Sequence, residues 1–134
     1  MYNLDLDGIE TYVYRQTKIG KMTEYSFSAY VDSVYNDSEL SIESKREKLG
    51  LLMSIMDTSG DKLTDILDDK AYNIGETLIV ESDKEGQIAL QYSLVRIYRS
   101  RYFVADILQN QAEKIANDEL FRQAKIKLNE MIDL

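Results

Sequence analysis

The side chains best suited to chemistry in this sequence are carboxylates. Asp65, Asp68 and Asp69 lie close enough together to bind Mg²⁺ or to act as an acid and a base. No glycine-rich phosphate loop, basic cradle or paired nucleophile and base accompanies them. Acidic runs at a helix end usually form a solvated face, so we predict no catalytic residue, no metal and no cofactor. The protein is expected not to be an enzyme.

Two acidic segments resemble calcium-binding loops of the EF-hand type. "NLDLDG" places amide and carboxylate side chains at alternating positions, but Tyr14 stands where the loop needs a bidentate glutamate. "DTSGDKLTDILD" has a similar acidic spacing, but Lys62 occupies the glycine position of the loop. We predict that neither segment binds calcium.

Histidine and cysteine are both absent from the 134 residues. The usual general base, zinc ligand and neutral-pH switch are therefore missing, as are disulfides and thiolate chemistry. The amino-terminal "MYNLDLDGIE" lacks the basic and apolar regions of a signal peptide, and no run approaches the ~20 apolar residues of a membrane span. A cytoplasmic protein that makes no membrane contact is expected.

The chain is acidic overall, with a net charge of −8 that is unevenly placed. Residues 1–81 hold 16 acidic and 8 basic side chains, whereas residues 82–134 hold 8 of each. The acidic N-terminal part repels nucleic-acid phosphates and attracts basic protein surfaces.

The sequence predicts an all-α fold, a compact bundle of five to six helices with a long C-terminal helix or helix pair in one domain, residues 1–134. Proline is absent, glycines number 6, and the apolar spacing is mostly helical. A β-branched run predicts one short extended segment near residues 77–80. The predicted helices are residues 9–16, 23–35 with Thr23 as the cap, 41–56, 62–69, 82–116 and 120–132.

Two features mark the ends of the long helix. Ser82 and Glu85 match the capping box Ser-x-x-Glu, which places the helix start at Ser82. Asn117 and Asp118 offer a hinge or a new cap beyond its end at about Ala116.

The segment "LQYSLVRIYRSRYFVADILQ", residues 90–109, mixes arginines with aromatic residues. Helical spacing places Arg96 and Arg99 on one flank with Tyr92 and Phe103, and puts Arg101 within the apolar arc. An arginine in that arc must snorkel, pair with a carboxylate of a neighbouring helix, or mark an interface.

Residues 41–69, "SIESKREKLGLLMSIMDTSGDKLTDILDD", resemble the last two helices of Cro-like and phage-repressor-like helix-turn-helix domains. In that family a core helix, a short turn and an ending of the type L-x-x-(L/I)-L-(D/E) follow the recognition helix, which implies a DNA-binding regulator. The preceding segment "MTEYSFSAYVDSVY" carries Glu24 and Asp32, and its nearest cation is Lys21. It lacks the cations that grip phosphates, so direct nucleic-acid binding is not expected.

Tyrosine is abundant, with 10 residues and no tryptophan. Exposed tyrosines among carboxylates favour a surface for a basic protein partner, because aromatic residues concentrate at interface hot spots and an acidic field steers association. A merely solvated acidic surface is the alternative. The predicted partner-binding residues are Tyr12, Tyr14, Glu24, Tyr25, Asp32, Tyr35, Arg96, Arg99, Arg101 and Tyr102.

These patterns favour a small acidic protein-interaction module. The absence of proline and the plentiful Ile, Lys, Asp, Asn and Tyr suit an AT-rich phage or bacterial genome. The expected role is a phage or mobile-element inhibitor or adaptor that binds a basic surface of a nucleic-acid-handling host protein, of which anti-CRISPR proteins are one class. The alternatives are a helix-turn-helix-like regulator and a phage structural or assembly protein that forms a homodimer through its long C-terminal helix.

Overall fold

The computed structural model describes residues 24–54, 60 and 62–133, with side chains from residue 27 onward in those ranges. This part of the chain contains helices and no strand, which confirms the predicted all-α class. The helix predicted over residues 9–16 and the Thr23 cap lie outside the described residues. The helices are α1 Glu24–Tyr35, α2 Ile42–Ser54, α3 Leu63–Val80, α4 Lys84–Leu108 and α5 Gln111–Asp133.

The 25-residue helix α4 is the centre of the bundle and packs against each of the other four described helices. Its most extensive contact is with α5, and α1 covers a second side. Among the described residues, α3 and α5 both lie on α4 but make no extended contact with each other. A groove therefore separates α3 from α5.

The main core surrounds the C-terminal half of α4. Fully burying a Val, Leu, Ile or Phe side chain stabilises a protein by about 1.5–3 kcal/mol, so this end of the bundle dominates the stability of the fold. The buried residues of this core are Phe27, Tyr30, Val31, Val34, Leu49, Leu52, Leu63, Leu67, Val104 and Ile107.

Small residues let α1 approach α4 closely. Ser100 Oγ donates to Ser28 Oγ at 3.0 Å, and Ser28 Oγ donates to the Arg96 carbonyl at 3.3 Å. Both serines are fully buried, and these bonds satisfy their hydroxyls inside the interface.

Basic residues of α2 bind the carboxyl ends of two neighbouring helices. Lys45 Nζ donates to the Tyr35 carbonyl at 2.8 Å, and Arg46 Nε donates to the Ile107 carbonyl at 3.1 Å. Cations are favoured there because the last carbonyls of a helix lack intrahelical donors and carry its negative dipole end. Ser41 Oγ accepts the Ser44 backbone N–H at 3.1 Å, close to the predicted start of this helix.

A smaller cluster joins the N-terminal half of α4 to α5. It buries Val95, Ala124 and Leu128, with Phe121 and Leu94 packed against them. The α5 residues recur at three- and four-residue steps, which is the spacing of a helix-to-helix seam.

Helix α3 runs on to Val80, so the extended segment predicted at residues 77–80 is wrong. Thr77 Oγ1 donates to the Asn73 carbonyl at 2.8 Å, which satisfies the hydroxyl within the helix. The helical penalty of a β-branched residue is below about 0.7 kcal/mol, and packing of the inward stripe outweighs it. The buried and half-buried positions of that stripe are Leu63, Leu67, Ile74 and Leu78.

Helix α4 begins one residue later than the capping box implied. Asp83 is the N-cap, with Oδ2 accepting the Gly86 N–H at 3.0 Å. Glu81 Oε1 accepts the Asp83 N–H at 3.0 Å and holds the turn between α3 and α4. The pairing of Ser82 with Glu85 is therefore wrong, although the helix starts within one residue of the predicted position.

Helix α4 also ends earlier than predicted, at Leu108 rather than near Ala116. Gln109 has a φ of 58° and lies in the left-handed region, where its N–H reaches the carbonyls of Ala105 and Asp106. This conformation satisfies carbonyls at the helix end and stops the helix.

Asn110 then begins α5, because its Oδ1 accepts the Glu113 N–H at 3.3 Å. Asn117, predicted as a hinge or cap with Asp118, instead lies inside α5. It is buried and donates through Nδ2 to the Glu113 carbonyl at 2.8 Å. An asparagine that bonds back along its own helix does not interrupt it.

No helix in the described ranges is both long enough and apolar enough to cross a membrane.

Candidate partner-binding surface

The arginine and aromatic flank of α4 packs against α1. Arg99 Nη2 lies 3.2 Å from Asp32 Oδ2, and its guanidinium lies 6.0 Å from the centroid of the Phe103 ring. Phe103 stacks on Tyr35 with 4.2 Å between ring centroids. The structure thus brings Asp32, Tyr35 and Arg99 together as contacts between helices, while their role in partner binding stays a prediction.

A second polar network joins α1, α4 and α5 around Asp106. Tyr35 Oη donates to Asp106 Oδ2 at 2.9 Å, and Lys114 Nζ lies 2.9 Å from Asp106 Oδ1. Burial, aided by the hydrogen bond to Asp106, raises the pKa of Tyr35 to about 12. The hydrogen bond from Lys114 lowers the pKa of Asp106, and the same bond raises the pKa of Lys114. Lys114 also lies 5.9 Å from the Tyr102 ring centroid, which connects that predicted residue to the network.

Arg101 lies between α3 and α5 and links them. It donates to Asp68 of α3, and its Nη2 lies 3.7 Å from Glu113 Oε2 of α5. The arginine side chain is 11 % exposed, whereas Asp68 and Glu113 are 56 % and 52 % exposed. Pairing with carboxylates of neighbouring helices is therefore how this arginine is accommodated in the apolar arc.

A pocket of about 230 Å³ adjoins Arg101. Thr64 and Asn110 line its polar side, and Val104 and Ala105 line its apolar side. Its charged groups, Arg101 and Glu113, already pair with each other, so the pocket lacks a free charge pair to hold a ligand.

The second half of α3, residues 71–80, exposes apolar surface. We call it the outer half of α3. Tyr72, Ile79 and Val80 are 67 %, 78 % and 79 % exposed. Exposed carboxylates, Asp69 and Glu76, lie beside them, and a hydrogen bond to Glu76 raises the pKa of Tyr72. An exposed group of apolar residues among carboxylates is typical of a protein-binding surface.

The space between the outer half of α3 and α5 forms the α3–α5 groove, with a volume of about 320 Å³. Its floor is the N-terminal half of α4, and its walls are one flank of α3 and one flank of α5. The residues that line it are Gly75, Leu78, Ile79, Gln91, Leu94, Gln123, Ala124 and Lys127.

The carboxylates that the sequence singled out do not converge in the structure. Asp68 is engaged by Arg101, and Asp65 and Asp69 are exposed on α3. Among the described residues, no group of three or more acidic side chains is arranged to hold a metal ion.

Of the remaining predicted site residues, Arg96 is the one whose side chain the structure describes. Tyr12 and Tyr14 lie outside the described residues, as do the side chains of Glu24 and Tyr25. Arg96 is half-buried, with its guanidinium 5.6 Å from the Tyr92 ring centroid.

Sequence reasoning missed the outer half of α3 and Gln91. The sequence signal for the outer half of α3 was the helical spacing of Leu67, Ile74 and Leu78. The β-branched residues at 77–80 obscured it. Gln91 carries no signal, because only the packing of α5 shows that it is buried.

No protein-family model, curated protein or solved structure matches the chain.

Proposed function

We propose that the protein is a non-enzymatic binding module that recognises a basic surface of a partner protein through the outer half of α3. One observation supports this most strongly. Tyr72, Ile79 and Val80 are largely exposed beside Asp69 and Glu76, in a chain with a net charge of −8. Aromatic and aliphatic anchors supply binding free energy, and the acidic field steers a basic partner toward them.

The proposed partner is a nucleic-acid-handling protein, because surfaces that bind phosphates are basic. An acidic module that covers such a surface excludes nucleic acid from it. The corresponding role is that of a phage or mobile-element inhibitor or adaptor in the cytoplasm, with an anti-CRISPR-like activity as one form of it.

The packing of α1 supports protein binding over the helix-turn-helix alternative. This helix, which would be the recognition helix, buries Phe27 and Val31 in the main core and pairs Asp32 with Arg99. We expect duplex DNA of random sequence to bind more weakly than about 10 μM at physiological salt, as fluorescence anisotropy would measure. Tight, salt-dependent binding would favour the regulator instead.

A homodimer through α5 has weaker support. The helix exposes Ile115, Leu120 and Ile126, but helical spacing puts Leu120 on a different face from the two isoleucines. A helix pair needs one continuous apolar stripe, so we favour a different protein as the partner.

Site-specific photo-crosslinking in cells that encode the protein tests the proposal. A crosslinker at position 72 should capture a basic protein, and capture should weaken as salt screens the acidic field. The matched control is a crosslinker at position 126, which is exposed on α5. Identical products from both positions, or capture of acidic proteins alone, would contradict the proposal.

A further inference from the structure

Helix α5 is attached to the other described helices through α4. Its most extensive contact is with α4, and no other helix in the described ranges packs extensively on it. Its ion pairs to the described helices also run to α4, because Lys114 pairs with Asp106 and Glu113 pairs with Arg101. Moving α5 away from the bundle therefore breaks the packing of one pair of helices.

The connection between α4 and α5 is short and strained. It consists of Gln109 and Asn110, and Gln109 is the one residue other than glycine in the described ranges with a positive φ, 58°. The left-handed conformation brings the Cβ of an L-residue close to the following carbonyl oxygen, which is a cost that glycine avoids. A helix that continues straight through Gln109 removes this strain. Short connections under strain favour the exchange of the element that they hold between copies of a chain.

The local sequence is compatible with one continuous helix. Residues 87–134 contain neither glycine nor proline, the strongest signals for ending a helix. The Gln109 N–H already reaches the Ala105 carbonyl, which would be its partner in a continuous helix, and straightening supplies intrahelical donors to the last carbonyls of α4. Straightening competes with the hydrogen bond from Arg46 to the Ile107 carbonyl. Packing, rather than the local sequence, therefore holds the bend at Gln109.

The charge balance of this region allows a second copy to approach. The whole chain carries a net charge of −8, but residues 82–134 hold 8 acidic and 8 basic side chains. The pair of Lys114 and Asp106, 2.9 Å apart, attracts equally whether the two residues belong to one chain or to two. A second copy therefore offers α5 a surface that it already fits.

We propose that α5 is exchanged between two copies of the chain, with Gln109 as the hinge. The connection straightens, α4 and α5 become one continuous helix from Lys84 to Asp133, and each α5 packs on α4 of the other copy. This domain-swapped dimer differs from a homodimer through the exposed face of α5, because it reuses the buried face. The inference is independent of the proposed function, since α3 takes no part in the exchange.

The test measures the association constant of the full chain and of three variants, by size-exclusion chromatography with light scattering after refolding at a series of concentrations. Gln109→Gly relieves the strain of the bent form. Gln109→Thr increases it, because a β-branched residue strongly disfavours positive φ. Gln123→Gly makes the same change as the first variant at an exposed position of α5 that is helical in both forms, and is the matched control.

We expect Gln109→Gly to lower the association constant by about tenfold or more, because the hinge straightens in both copies of each dimer. Gln109→Thr should raise the association constant by about tenfold, and Gln123→Gly should leave it within about twofold. Equal association constants for Gln109→Gly and Gln123→Gly would overturn the hinge. A wild-type chain and a Gln109→Thr variant that both stay monomeric at every concentration would overturn the exchange.

Isotope-filtered nuclear Overhauser spectroscopy on a mixture of labelled and unlabelled chains distinguishes exchange from any other dimer. Val95 of α4 packs with Ala124 and Leu128 of α5, and exchange turns these contacts into contacts between copies. The filtered spectrum should therefore contain them. In a dimer that pairs through exposed faces, the same contacts stay within one copy and are absent from the filtered spectrum, and that result would contradict the exchange while leaving the proposed function standing.

Discussion

The two halves of α3 differ in burial in the opposite sense to their apolar content. In residues 63–70, Leu63 and Leu67 are completely buried against α2 and α4. In residues 71–80, Tyr72, Ile79 and Val80 remain largely exposed, although this half is the more apolar of the two. An apolar side chain is therefore suited to burial, but it is buried only where neighbouring helices of the same chain cover it.

Neighbouring elements explain the difference. The first half of α3 lies over the main core, where α1 and α2 also converge on the C-terminal half of α4. The outer half lies beside the N-terminal half of α4, where the described part of the chain places α5 across an open groove. We infer that the first half is built for stability and the outer half for binding.

The largest expected change in stability distinguishes the two halves of α3. Leu67→Ala should destabilise the protein by about 3 kcal/mol, because it removes a fully buried side chain and leaves a cavity. Ile79→Ala, on the same helix, should cost less than about 0.5 kcal/mol, because that side chain is mostly in water. Urea denaturation followed by circular dichroism measures both, and similar costs would contradict the distinction.

Arg101 pairs with Asp68 near the boundary between the halves and gives the next largest effect. Arg101→Ala should cost about 1–2 kcal/mol, less than a fully buried ion pair, because the carboxylates it leaves behind are half-exposed and can be solvated. Arg101→Leu should be milder, since it completes the apolar arc of α4. A leucine variant less stable than the alanine variant would show that an apolar side chain at position 101 does not pack into the arc.

The turn after the outer half of α3 gives a smaller effect. Asp83→Ala should cost about 1 kcal/mol, because Asp83 accepts the Gly86 N–H at the start of α4. The neighbouring exposed Ser82→Ala should stay within about 0.5 kcal/mol of wild type. Thermal melts of the two variants compare the two candidate caps. A larger loss of stability in Ser82→Ala than in Asp83→Ala would show that Ser82 is the cap.

The smallest effect has the opposite sign. Gly75→Ala should stabilise the protein by about 0.5–1 kcal/mol, because the added methyl meets no neighbour and alanine loses less backbone entropy in a helix. The same urea measurement detects it. Destabilisation would mean that the groove wall is closed in solution.

Helical periodicity was enough to predict the all-α class. Phe27, Val31 and Val34 recur at helical spacing and are buried as that spacing requires. Local patterns were less reliable at boundaries, because the competing caps at Ser82 and Asp83 are adjacent and both chemically suitable.

The candidate site was harder to predict for a different reason. The partner of Arg99 is Asp32, 67 residues away, so sequence spacing could not show that this flank of α4 is covered by α1. The β-branched residues at 77–80, inside the outer half of α3, predicted a short extended segment because such residues favour strands. Tertiary packing determined both the covering of this flank of α4 and the helical conformation of residues 77–80.

Native-state hydrogen exchange along α3 tests the central claim most directly. We predict that amides of the first half, from Ile66 to Lys70, exchange only through global unfolding, whereas amides of the outer half from Ile74 to Val80 exchange faster through local opening. Equal protection across the two halves, or stronger protection of the outer half, would contradict the division of α3 into a stabilising half and a binding half.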